Sequence, residues 1–178
     1  MAVFFSVIAA LILFFIIVMI LDCNRFVVRK YRCREEKLKK DVKFILLSDL
    51  HNKSFGKKNA RLLKAIDKIG ADMILIAGDM YTSATGGDIE TAAELVCTLA
   101  EKYPVYYGNG NHEHKTRLFP KDFLDMYRKF SEKIASAGVN HLINEKISLP
   151  DLNMDIYGLE IDREYFRKFK EIQMEETY

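Results

Sequence analysis

With 178 residues and a mass of 20.6 kDa, the chain has room for one modest domain and whatever its ends carry. Hydrophobic residues at 49% and charged residues at 29% exclude wholesale disorder, and nine Gly with three Pro exclude collagen-like or Pro-rich architecture. The net charge of +2 is unevenly spread: residues 1–21 carry no charged side chain, residues 22–43 carry nine Lys/Arg against four Asp/Glu, and the rest carry 18 against 21. An apolar end, a basic collar and a mildly acidic body predict a membrane anchor joined to a soluble domain.

From Val3 to Leu21 runs VFFSVIAALILFFIIVMIL, in which Ser6 is the only polar residue. As a helix this run spans about 29 Å, close to the ~30 Å hydrocarbon core of a bilayer. It is apolar all round, which suits lipid. A cleaved signal peptide is disfavoured: no Lys or Arg precedes the run, it is long, and no small-x-small site follows. The sequence therefore predicts a transmembrane helix over residues 1–21, a basic juxtamembrane segment over 22–40 and a folded body over 41–178. Arg25, Arg29, Lys30, Arg32, Arg34, Lys37, Lys39 and Lys40 all follow the helix. The positive-inside rule then puts the N-terminus outside and the body in the cytoplasm. The collar either sets topology alone or also binds anionic head groups of the lipid bilayer, at about 1 kcal/mol per basic residue. Cys23, Cys33 and Cys97 form no CxxC pair, so neither a zinc ribbon nor a disulfide framework is indicated.

In the body, Val42–Ser48 has the nearly continuous apolar pattern of a strand buried on both faces. A helix is predicted over Lys57–Ile69, with Gly70 as its stop, then a second buried strand over Met73–Ala77. Asp88 caps a helix whose Ile89, Ala92, Ala93, Val96, Leu99 and Ala100 share one face. Pro104–Tyr107 is a third strand. Pro120 opens a helix with Phe123, Tyr127, Phe130 and Ile134 in register, closed by Gly138. His141–Leu149 and Met154–Leu159 read as two further strands, and Arg163–Glu176 as a charged helix. Strand–helix alternation predicts an α/β fold with a parallel sheet.

Ligands of such sheets gather beyond the carboxyl ends of the strands. After the first strand comes Ser48-Asp49-Leu50-His51-Asn52, after the second Gly78-Asp79-Met80, and after the third Gly108-Asn109-Gly110-Asn111-His112-Glu113. Three turns thus deliver carboxylate, imidazole and carboxamide groups to one edge. Mixed oxygen and nitrogen donors suit Mn, Fe or Zn better than Ca. Glycines before Asp79 and Asn111 allow sharp turns and close approach. A phosphate ester offers anionic oxygens that a pair of such metals can polarise while generating hydroxide near neutral pH.

SDLH, AGDM and GNGNHE in this order resemble the first three blocks of the calcineurin-like metallophosphoesterase family. The membrane-anchored bacterial branch is the most similar, since an apolar helix precedes the first block and GLEID follows near the end. The resemblance covers about Asp41–Asp162 and implies a β-sandwich flanked by helices, holding two divalent metal ions. It implies that Asp49 and His51 ligate the first metal, that Asp79 bridges both and that Asn111 ligates the second. His112 is implied to be catalytic, contacting the phosphate and assisting the leaving group as acid, with Glu113 orienting it. The implied activity is hydrolysis of a phosphomonoester, phosphodiester or pyrophosphate, a lipid-linked UDP-diacylglucosamine-like molecule among the candidates.

The family pattern continues to a further metal-binding His and a Gly-His-x-His block, and neither is present. Only His51, His112, His114 and His141 exist. His114 reads as a solvated loop residue and His141 as structural. The chain is thus expected to form the N-terminal portion of the domain and to be inactive or weakly active alone. A non-catalytic, phosphoesterase-like binding module is the alternative. A nuclease is disfavoured, and no nucleic acid is expected as partner, because the body is acidic and duplex binding wants a basic face.

Overall fold

The computed structural model describes residues 1–162; the helix expected over Arg163–Glu176 lies outside them. Two compact units are present, Met1–Arg34 and a second that begins at Glu35. In the first, α1 (Ala2–Cys23) is apolar on every side and closes where Asn24 Nδ2 donates to Ile20 O at 2.8 Å. Its Val3–Cys23 stretch is long and apolar enough to cross a membrane.

In the second unit, β1 (Phe44–Leu47), β2 (Met73–Ile76), β3 (Val105–Gly108) and β4 (Asn140–Leu142) form a parallel sheet in that order. The connections are helical: α2 (Ala60–Ile69), α3 (Glu90–Ala100), then α4 (Asn111–Leu118) and α5 (Met126–Ser136). The chain is α/β, as the alternation predicts. Helix α2 buries Leu62 and Ile66, one turn apart, and stops at Gly70 in the left-handed conformation. Helix α3 starts where the Asp88 carboxylate accepts from Glu90 N at 2.7 Å. Helix α5 buries Phe130 and Ile134, and the rings of Tyr81 and Tyr107 pack on Phe130 at 5.0 and 5.5 Å.

A second, antiparallel sheet of β5 (Glu145–Leu149) and β6 (Met154–Gly158) covers the other face. Met73, Leu75 and Tyr106 of the parallel sheet meet Ile147, Leu149, Met154 and Ile156 there. The two sheets pack face to face. Lys39 N ties the incoming chain to it by donating to Leu152 O at 3.2 Å.

Four local expectations change. Strand β1 is not buried on both faces: among the described residues it lies at the sheet edge, and Phe44 and Leu46 remain 47% and 62% exposed. A continuous apolar run cannot distinguish a central strand from an edge strand. The helix expected from Pro120 begins only at Met126, because Leu124 and Asp125 take left-handed φ values of 50° and 56°. Helix α4 was not expected at all, since NHEHKTRL has no apolar period; it buries Glu113 and Thr116 instead. The single strand expected over His141–Leu149 is two, broken at Asn144 with φ 54°.

His141, on β4, is structural. Its Nε2 lies 2.7 Å from Asn109 Oδ1, and its ring meets that of Tyr107 edge-on at 5.2 Å. Burial lowers its pKa from 6.5 to about 4. The unfolded chain binds a proton below pH 6.5 that the folded chain refuses until about pH 4, so stability falls across that window. Urea unfolding of His141→Gln is expected to show an acid loss shallower by on the order of 3 kcal/mol. Parallel pH profiles for variant and parent would contradict this.

Candidate metal centre

The loops after β1 and β2 run side by side, continuing the pairing of their strands. Asp49 N donates to Gly78 O at 3.2 Å, His51 N to Asp79 O at 3.0 Å and Asn52 N to Met80 O at 2.9 Å. Keeping this pairing while turning outward requires left-handed backbone at Asp49, His51, Asn52 and Asp79, with φ from 48° to 60°. Such conformations cost about 1 kcal/mol or more per non-glycine residue and concentrate at functional sites. Here they fall on every expected ligand of these two loops.

The result is convergence. Ligand atoms of Asp49, His51 and Asp79 all lie within 4.8 Å of one another. Asp49 and His51 are exposed, whereas Asp79 is only 8% exposed. The third loop brings Asn111, the first residue of α4, against Asp79. The Asn111 amide oxygen faces Asp79 Oδ2 at 2.9 Å, and its nitrogen faces His112 N at 3.2 Å; turned over, the amide would donate to Asp79 and accept from His112 N. Two oxygens set face to face are an arrangement that a cation between them stabilises. Two carboxylates, an imidazole and a carboxamide form a donor set that fits a first-row divalent cation. Among the described residues no other group of His, Cys, Asp or Glu gathers this closely.

Close approach of the second and third loops depends on two glycines. A Cβ on Gly78 would lie 1.9 Å from Gly110 N, and one on Gly110 would lie 2.4 Å from Asp79 Oδ1. Glycine is needed here for loop against loop rather than loop against ligand.

Glu113 fastens the pair. Fully buried, its Oε2 accepts from Asp79 N at 2.8 Å and Gly110 N at 3.0 Å; its Oε1 accepts from Met80 N at 3.0 Å and Tyr107 OH at 2.8 Å. Burial, with the adjacent Glu113 charge, raises the Tyr107 pKa well above its ordinary value, so the phenol keeps its proton to donate. Glu113 therefore does not contact the His112 ring as the sequence suggests. Ser83 does, with its backbone N and Oγ each 2.8 Å from His112 Nδ1. No sequence pattern marks Ser83; only the path of its loop brings it there. The His112 ring stands edge-on to His51, centroids 4.9 Å apart, at the rim of the cluster.

His114 is not a solvated loop residue. It lies on α4, largely buried, with Nδ1 3.1 Å from Glu160 Oε1 and Nε2 3.2 Å from Asp162 Oδ1. The first contact has ion-pair distance without hydrogen-bond alignment. Glu160 also receives Asn109 Nδ2 at 2.9 Å and pairs with Arg117. Burial pushes its pKa up, but the contacts with Asn109, His114 and Arg117 outweigh that and hold it below the ordinary value. This cluster lashes the GLEID segment to α4 and the third loop.

A profile of the calcineurin-like phosphoesterases matches residues 42–173. An uncharacterized metallophosphoesterase of Campylobacter jejuni is 27% identical over 124 residues, which is 68% of this chain. The chain spans only 30% of that relative's length. No solved structure matches the chain.

Removing the Glu113 carboxylate strands three backbone N–H groups and a phenol in a dry site. Glu113→Ala is expected to lower unfolding free energy by about 3–5 kcal/mol, read from denaturant titration. A loss under about 1 kcal/mol would mean that water replaces the carboxylate without cost. Gly78→Ala is expected to reduce saturable Mn binding at least tenfold by forcing the two loops apart; unchanged binding by calorimetry would refute the need for their contact.

Proposed function

The chain belongs to the calcineurin-like phosphoesterase family, and from that premise we propose that it serves metal-dependent hydrolysis of a phosphate ester at a membrane face. The observation that carries this reading is the gathering of Asp49, His51 and Asp79 donor atoms within 4.8 Å on loops of otherwise costly backbone conformation. Asp49 and His51 would hold one divalent ion, Asn111 a second, and Asp79 would be shared. When bound, such cations supply Lewis-acid polarisation of the phosphoryl group. Mn, Fe and Zn all suit the mixed donors.

The protein's own groups orient the reaction. His112 stands at the rim and donates towards the leaving oxygen of the substrate. Asp79 holds the start of α4 in place, since its Oδ1 accepts from His112 N at 2.8 Å. A phosphomonoester, phosphodiester or pyrophosphate fits this chemistry equally. The apolar helix and the basic residues after it favour a substrate presented at the bilayer, such as a lipid-linked pyrophosphate of the UDP-diacylglucosamine type. In this reading the helix anchors the chain with its body on the cytoplasmic side.

A second reading, binding without turnover, is favoured by one observation. Of the four histidines only His51 belongs to the donor cluster, while His114 and His141 are engaged elsewhere. Calorimetric Mn titration of the full chain, paired with hydrolysis of a chromogenic phosphodiester, separates the two. The phosphoesterase reading expects saturable Mn binding, Mn-dependent turnover, and at least a tenfold loss of affinity with abolished turnover in Asp79→Asn. Saturable binding without turnover supports the binding module. Absence of saturable binding would sink both.

A further inference from the structure

Residues 79–83 follow α4 as a zipper. Asp79 N and Met80 N donate to Glu113, Tyr81 OH meets Thr116 Oγ1 at 2.7 Å, and Ser83 reaches His112. Residues 112, 113 and 116 lie on one face of the helix. The Thr116 hydroxyl is within reach of the His112 and Glu113 carbonyls at 3.2 and 3.0 Å, so its hydrogen is directed into the helix and Tyr81 is the donor of the pair. The Tyr81 ring is fully buried against Phe130, which anchors the start of the loop that carries Ser83.

That backbone meets the imidazole in a way that leaves one reading of its proton. A main-chain N–H only donates, so the nitrogen 2.8 Å from Ser83 N must offer a lone pair. We propose that Ser83 is a positioning residue that holds His112 as the tautomer protonated on Nε2. The Ser83 hydroxyl, also 2.8 Å from Nδ1, closes that side of the ring further. In that tautomer Nε2 carries the hydrogen and is left to donate. His112 thus offers a hydrogen bond to an anionic oxygen and is unable, through Nε2, to take a proton from water. The tautomer stands on these contacts alone; its use towards a phosphate oxygen rests on the phosphoesterase reading.

The test needs neither metal nor substrate, so its failure is distinct from failure of the hydrolytic reading. Long-range proton–nitrogen NMR of the full chain, labelled with nitrogen-15 histidine, distinguishes the two neutral tautomers in alkaline solution. The His112 signals are assigned as those missing in His112→Gln. Expected is an unprotonated Nδ1 and a protonated Nε2, retained in Ser83→Ala because the main-chain N–H remains. Ser83→Pro, which lacks that N–H, is expected to give the averaged pattern of an unheld ring while the His141 signals stay in place. A protonated Nδ1, or an averaged pattern in the parent chain, overturns the proposal. Should Ser83→Pro fail to fold, the parent and Ser83→Ala spectra decide alone.

Discussion

One buried carboxylate governs the rest of the site. Glu113 has no access to solvent, and its four contacts join the turn after β2, the turn before α4 and the Tyr107 ring of β3. Burying a carboxylate is costly unless its lone pairs are met, and here each oxygen accepts two donors. The donors gain as much as the acceptor does. Turns built from left-handed residues have N–H groups with no ladder partner, and Glu113 supplies one for Asp79 and Met80 together. Together with the Asp79 Oδ1–His112 N bond, it keeps the two loops in close contact at Gly78 and Gly110.

From that clasp the geometry of the donors follows. Asp79 is fixed through its own backbone, its neighbour's backbone and the Gly110 contact, which explains why it is the buried member of the cluster. Asp49 and His51 are held by hydrogen bonds to the far side of the same turn and remain open to solvent. The arrangement combines a fixed, protected donor with exposed ones. Helix α4 is recruited by the same carboxylate, so Asn111 and His112 are placed by the group that places Asp79.

How much of this could be read from the chain depends on what kind of signal each feature leaves. Strands β2 and β3 and helices α2 and α3 leave apolar periods and were legible to within a few residues. So were the positions of Asp49, His51, Asp79 and Asn111 at strand ends, because the parallel sheet puts all such ends at one edge. Helix α4 left no trace, since its cohesion comes from polar contacts of Glu113 and Thr116 and not from an apolar stripe. The roles of Ser83 and Glu113 were equally hidden. Both act through backbone N–H groups, which every residue has and no sequence pattern displays. The exposed Phe44 and Leu46 show the converse limit: a run of apolar residues identifies a strand but not how many layers cover it.

The most direct measurement is pulsed electron paramagnetic resonance of Mn bound to the full chain, read for nitrogen coupling. The donor set described predicts coupling from a single imidazole, lost in His51→Gln and retained in His112→Gln. Mn that shows no nitrogen coupling, or coupling that survives the loss of His51, would contradict the convergence of these loops on a shared cation.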